Sequence, residues 1–392
     1  MGIETGVTYM ESKRDVQRFI DDFKRGRVTR RDVGKALASV GLATTLTPIG
    51  RGKALAAGDE DPVCFTWSGY EVPEMHQEYI DKYGESPNFS LWGDEEEAEA
   101  KMRAGFKPDV SMPCSYKIQK WHDLQFLRPI DTTRLSHWDQ VLPVLKDKVP
   151  DQVLADGNRY QVPAWWGLTS VTFRTDLAPE YDDPEAHTWG ILWDEKYAGR
   201  LSMIDSLIDG VMVAAIYSGA KDPFNMTDAE VQTTKEYMER QRPLLRFYTN
   251  DTTSWEQALA SGELIAADSW NSTPLNLANQ GIPSAFMNPK EGPMTWVCGI
   301  CLMDFVQPEM EQRAYDLIDA FLAPSTGEYW IEAYGMGHSN GVAYEAFSAE
   351  DLGKRGLPPD DIEGYISSGI FQATIQNEPQ LQEMYEEVKA GM

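Results

Sequence analysis

The sequence is poor in cysteine, histidine and long apolar runs. Four cysteines, Cys64, Cys114, Cys298 and Cys301, occur in 392 residues, too few for a disulfide scaffold to hold a chain of this length. Cys298 and Cys301 have C-x-x-C spacing, but no second pair completes a zinc site. The spacing also falls within an apolar run that reads as a strand, where residues three apart point to opposite faces. Buried structural thiols are expected there rather than a redox or metal centre. The five histidines, His76, His122, His137, His187 and His338, are scattered without metal-ligand spacing, and no phosphate-binding glycine loop occurs, so no cofactor is implied. The best apolar stretch, residues 33 to 49, is broken by Lys35, Gly41 and Pro48 and falls short of the roughly 20 residues a spanning helix needs.

Positive charge is scarce as well, with 35 Lys and Arg against 62 Asp and Glu, a formal net charge of -27. Such a surface repels nucleic acid and anionic lipid and concentrates cations. Eleven of the basic residues lie in the first 56 positions, where Thr29-Arg30-Arg31-Asp32-Val33-Gly34-Lys35 resembles a twin-arginine export signal, although Val33 and Gly34 depart from its usual Phe-Leu. A weakly apolar segment follows, and Ala54-Leu55-Ala56 offers small residues for cleavage, so residues 1–56 are expected to be a leader and the mature chain periplasmic. An amphipathic helix around residues 15 to 23 is the competing reading.

What the chain does have is tryptophan in a repeated placement. Trp67, Trp92, Trp166 and Trp270 each close a short apolar run and are followed by Ser, Gly, Gly and Asn. If the runs are strands of an α/β sheet, their carboxyl ends face the crevice where such sheets bind ligands, and the indoles converge on a cleft suited to a small organic cation. The pattern alternates strand and helix through residue 123 and again from Tyr160, with strands expected at 162–166, 170–174, 201–205 and 264–270. A helix is expected over 254–261, capped by Ser254 and stopped by Gly262. Another is expected from Pro308 through Phe321, with Ala314, Leu317, Ile318 and Phe321 on one face. The run from Thr295 to Met303 reads as a strand crossing back to the first half. Two α/β lobes joined by crossing segments make a hinged cleft.

In that order the chain resembles the periplasmic solute-binding proteins of ABC importers, within them the spermidine/putrescine-binding branch. The resemblance is carried by Phe65-Thr66-Trp67-Ser68-Gly69-Tyr70-Glu71-Val72-Pro73, Pro113-Cys114-Ser115-Tyr116, Val162-Pro163-Ala164-Trp165-Trp166-Gly167, Leu192-Trp193 with Tyr197-Ala198-Gly199, Gly262-Glu263 leading to Ser269-Trp270-Asn271-Ser272, and Pro289-Lys290-Glu291-Gly292 before Trp296. It implies a two-lobed, type II-like periplasmic binding protein fold with a hinged interlobe cleft: 57–167 plus 297–344 in lobe 1, and 168–296 plus 345–392 in lobe 2. It also implies an inner-membrane permease and an ATPase as partners, no catalytic role, and a monomeric carrier.

Trp67, Tyr70, Tyr116, Trp270 and Trp296 match the family's aromatic positions. Its acidic anchors are less well kept: Asp205 and Asp209 flank Ser206, and Cys298 stands where an aspartate normally meets an amine. A primary ammonium has three N–H donors that demand acceptors, whereas a methylated onium has none and is held by ring faces, each worth about 0.5 to 2 kcal/mol when desolvated. The loss of acids therefore suggests dimethylsulfoniopropionate, glycine betaine or choline in a cage of Trp67, Tyr70, Trp92, Tyr116, Trp166, Trp270 and Trp296. Ser115, Asn271 and Ser272 would serve a zwitterion's carboxylate. The alternative ligand is a polyamine anchored by Asp205, Asp209 and Asp268. A further alternative is a serine hydrolase, since Gly337-His338-Ser339-Asn340-Gly341 matches G-x-S-x-G, but no histidine follows Ser339 to complete a triad.

Overall fold

In the computed structural model, which describes residues 61–358 and 360–391, the apolar runs form twelve strands. They are β1 (Val63–Trp67), β2 (Asn88–Trp92), β3 (Val110–Ser111), β4 (Leu127–Arg128), β5 (Val162–Phe173), β6 (Leu201–Ile204), β7 (Leu245–Thr249), β8 (Ala266–Trp270), β9 (Ala285–Phe286), β10 (Met294–Met303), β11 (Gly337–His338) and β12 (Ile370–Phe371). The leader expected over residues 1–56, with its cleavage site, lies outside the described residues. No helix among the described residues is long and apolar enough to cross a membrane.

Two parallel groups flank an antiparallel centre, in the order β2-β1-β3-β10-β5-β8-β6-β7. β1 pairs in parallel with β2 and β3, and β6 with β7 and β8. Val162 to Thr169 of β5 pairs with Met294 to Ile300 of β10, Trp165 and Trp166 also pair with β11, and the second half of β5 pairs with β8 and β9. β10 runs back antiparallel, from Met294 and Thr295 beside β12 to Cys301, Leu302 and Met303 beside β3 and β4. These two crossing strands make the molecule the two-lobed α/β binding-protein fold. All residues of both are buried, which accounts for their near-continuous apolar sequences.

β5 is one strand where the sequence suggests two. Gly167, which reads as a break, lies opposite Trp296 in the ladder, and a methyl group there would collide with the Trp296 ring. The glycine serves a close approach of side chain to backbone rather than a turn.

The helices obey their periodicity more closely than their expected ends. Glu311–Phe321 buries Ala314, Leu317, Ile318 and Phe321 as the pattern requires, but begins three residues after Pro308. The helix Thr252–Ser261 is capped by Asp251, whose side chain accepts from the Thr253 N–H at 3.2 Å, rather than by Ser254, and it stops at Gly262 with φ 75°. The segment after residue 345 packs on two different cores. Leu352 and Ile366 pack with Leu142, Leu145 and Ile331 on the first lobe, whereas the helix Glu378–Ala390 lays Leu381, Met384, Tyr385 and Val388 against Val211 and Met212 of the second. Complementary apolar faces decide that placement, and periodicity cannot reveal which partner a face will choose.

Candidate ligand-binding site

Five of the rings singled out in the sequence gather in one place. Trp67, Tyr70, Tyr116, Trp270 and Trp296 belong to a single hydrophobic cluster, built where β1 and β8 end and β10 crosses between lobes. Trp67 is fixed by its indole N–H, which donates to the Met112 carbonyl at 3.0 Å. Tyr70 follows Gly69, whose φ of 99° turns the chain, and its ring meets Trp165 and Trp330 edge-on at 5.1 Å. Tyr116 and Trp270 each also touch a core of the second lobe, so the rings line the junction of the two lobes. Tyr334 joins them: its hydroxyl donates to the Gly69 carbonyl at 2.8 Å and its ring lies 6.0 Å from that of Tyr70. Sequence reasoning missed Tyr334, whose place at the end of a helix, just before Gly335, is the only local hint.

Two other rings expected in the cage are sealed in the core. Trp92 is buried behind Trp67, 4.9 Å from its ring, and against Phe65 and Trp121 at centroid distances of 5.4 and 5.8 Å. Trp166 is fully buried in another core, packed on Gly337, with its N–H shared between the His338 carbonyl and the Tyr344 hydroxyl. Trp165, its neighbour on the opposite face of β5, is equally buried. Alternation places the two indoles on opposite faces, and here both faces are covered.

Asp205 is also engaged elsewhere, accepting from Lys389 Nζ at 2.6 Å and the Tyr385 hydroxyl at 3.0 Å. The donors expected for a ligand carboxylate are partly taken up: Ser115 Oγ donates to the Gln372 carbonyl, and the Asn271 side chain bonds the backbone of Leu168 and Gly335.

Three buried carboxylates lie near Tyr116 or one another: Asp209, Asp268 and Glu95. Ser206 caps the turn Leu207–Val211, accepting from the Asp209 N–H at 3.1 Å while its hydroxyl donates to Asp209 Oδ2 at 2.6 Å. Thr169 Oγ1 donates to Asp209 Oδ1 at 3.2 Å. The cap is Ser206 and not Asp209, whose carboxylate meets no backbone N–H among the described residues, and burial raises its pKa against these two hydroxyl bonds. Asp268 on β8 is fully buried, and burial, reinforced by the negative charge of Asp209, pushes it well above the carboxylate range. Glu95 opens the helix Glu95–Arg103 just after its cap Asp94. It accepts from the Cys114 N–H at 2.7 Å and from the Tyr116 hydroxyl, and burial raises it to about 7 against the pull of Lys117. The sequence hides Glu95 within Glu95-Glu96-Glu97, a run that reads as a solvated helix start.

Cys114 and Cys298 form a disulfide, while Cys64 and Cys301 are buried free thiols. The expectation of buried structural thiols at Cys298 and Cys301 thus holds for Cys301 and not for Cys298. The bond ties the segment carrying Tyr116 to β10 two residues beyond Trp296, and it leaves Cys298 unable to act as an amine acceptor. Ser339 is fully buried and the short strand before it leads into a 3-10 turn, while burial lowers neighbouring His338 to about 4. That is no nucleophile elbow, which needs an exposed serine between strand and helix. Among the described residues no group of three or more His, Cys, Asp or Glu side chains is placed to hold a metal.

Aromatic rings and buried acids thus lie near where the two lobes meet. Residues 92–352 match the family model of the bacterial extracellular solute-binding proteins. The chain belongs to that family. It is 25% identical to the spermidine/putrescine-binding periplasmic protein 1 of Haemophilus influenzae over 347 residues, covering 86% of this chain and 91% of that one. It is 26% identical to a putrescine/agmatine-binding protein of Pseudomonas aeruginosa, over 66% of this chain and 73% of that one. In fold it is similar to a putative spermidine/putrescine ABC transporter structure from Listeria monocytogenes, with a TM-score of 0.70 at 18% identity over 84% of this chain and 99% of that one. This solute-binding protein is accordingly the substrate-binding component of an ABC importer and not an enzyme.

Proposed function

We propose that this solute-binding protein captures a small primary amine of the polyamine class in the periplasm and delivers it to a membrane permease driven by an ATPase. The observation that carries this reading is Asp209, a buried carboxylate beside the ring cluster whose side-chain partners are two neutral hydroxyls. A buried carboxylate without a cation is costly, and a primary ammonium supplies both the charge and the N–H donors that it lacks. A methylated onium supplies charge but no donor, and with Trp92 and Trp166 in separate cores the cage expected for it loses two of its seven rings. The rings that remain suit the methylene chain of a diamine as well as its charge. The amines in the names of the two curated relatives, spermidine, putrescine and agmatine, support the same class.

Calorimetry tests the reading. Putrescine, spermidine or agmatine is expected to bind, and Asp209→Asn to weaken binding by about 2 kcal/mol or more, roughly thirtyfold, since it removes the charged partner of a buried pair. Tight binding of dimethylsulfoniopropionate, betaine or choline with none for the primary amines would overturn it.

A further inference from the structure

Resting on that reading, we propose that Glu95 is a positioning residue for ligand selection: it holds the hydroxyl proton of Tyr116, so that the phenol oxygen faces the ligand as an acceptor and favours a donor-bearing amine. Glu95 is 2% exposed and opens the helix Glu95–Arg103, where the unpaired peptide N–H groups favour a carboxylate. Both of its oxygens are taken. Oε1 accepts from the Cys114 N–H at 2.7 Å, and Oε2 accepts from the Tyr116 hydroxyl. Its charge is answered by Lys117, whose Nζ bonds Glu96 at 2.6 Å and Glu378 at 3.4 Å. With oxygens and charge so engaged, Glu95 acts through Tyr116 and not on the ligand itself.

The surroundings of Tyr116 fix the direction of that hydroxyl. The bond between Cys114 and Cys298 ties the preceding backbone to β10, and the Thr374 hydroxyl donates to the Tyr116 carbonyl at 3.1 Å. Lys117 Nζ lies 5.2 Å from the centroid of the ring. The residue is only partly buried, and it packs in the cluster that holds Trp67, Tyr70, Trp270 and Trp296. A phenol has one O–H to donate and lone pairs with which to accept. Glu95 claims the proton and is the one hydrogen-bond partner of this hydroxyl among the described residues, so a lone pair stays open. An ammonium N–H fits that lone pair, whereas a methylated onium brings no hydrogen to it and a carboxylate meets it oxygen to oxygen. Glu95→Gln reverses the direction. The amide oxygen still accepts from the Cys114 N–H, but the amide N–H then faces the phenol and donates to it, which turns the hydroxyl proton toward the ligand.

Calorimetry with putrescine at about pH 8.5, above the value of about 7 to which burial lifts Glu95 and below the range of the amine, tests this on four proteins. They are wild type, Glu95→Gln, Tyr116→Phe and the double variant, each checked for folding by a thermal melt. Each single variant should lose about tenfold in affinity, and the double variant should bind no more weakly than Tyr116→Phe alone, because Glu95 has no effect without the hydroxyl. Wild-type affinity in Glu95→Gln would overturn the proposal. So would equal losses from Glu95→Gln with and without the Tyr116 hydroxyl, the mark of a purely structural tie. Both results leave amine capture standing, whereas failure of the wild type to bind any primary amine would overturn both readings. Should Glu95→Gln not fold, Tyr116→Phe decides alone: a loss of about tenfold supports the accepting phenol, and unchanged affinity overturns it.

Discussion

Single residues at the lobe junction divide into those that grip and those that pack. Trp270 and Trp92 both close a strand, but Trp270 is half-buried among the cleft rings and Trp92 is sealed against Phe65, Trp67 and Trp121. Trp270→Ala should therefore cut amine affinity about tenfold with a modest change in melting temperature. Trp92→Ala should cost about 3 to 5 kcal/mol of stability and spare affinity in the folded fraction. Thermal melts paired with titrations separate the two cases. Glu95 gives a second signature, because burial lifts it from 4.5 to about 7, so the folded protein holds a proton that the unfolded chain has released. The sign is the reverse of a salt-bridged acid: its contribution is full below about pH 4.5 and is lost as pH rises through 7. Melting temperature followed over that window should fall less steeply in Glu95→Gln than in wild type, and identical slopes would show that Glu95 does not titrate there. That Trp67, Tyr70, Tyr116, Trp270 and Trp296 would share one cluster was suggested by the motifs they stand in. The burial of Trp92 and Trp166 was not, since closing a strand does not say which face of it will be covered.

At the scale of elements, the crossing strands and the disulfide hold the site's geometry. β5 and β10 carry Gly167 and Trp296 into contact at the crossing, and the Cys114–Cys298 bond fastens the Tyr116 segment to the same strand. The bond closes a loop with a sequence separation of 184, so chain-entropy reasoning gives it about 5 kcal/mol at most. A reducing agent, or Cys114→Ser with Cys298→Ser, should lower both the melting temperature and amine affinity, as read by melts and titrations with and without reductant. A protein indifferent to reductant would show that the disulfide holds nothing the cleft needs. The strand–helix alternation and the return of β10 were readable from apolar runs, and the helix Glu311–Phe321 from its spacing. The pairing of Cys298 with Cys114 was not readable, because a C-x-x-C spacing draws attention to the neighbour in sequence while the partner is brought by the fold. The docking of the helices Ala349–Lys354 and Ile362–Ser368 on the first lobe was hidden for the same reason.

As a whole molecule the protein is acidic, with a formal net charge of -27 over its full sequence and with Glu95, Asp209 and Asp268 buried. A net negative charge raises the local concentration of cations, and under the proposed function the buried carboxylates select among them. The proposed function favours donor-bearing amines because Asp209 has hydroxyl partners and no positive one. A crystal structure of the protein grown with putrescine tests this most directly. The account expects an ammonium nitrogen within about 3 Å of Asp209, with the methylene chain between the rings of Trp67, Trp270 and Trp296. A diamine bound away from Asp209, or a junction in which those rings stay packed on one another and admit no ligand, would contradict it.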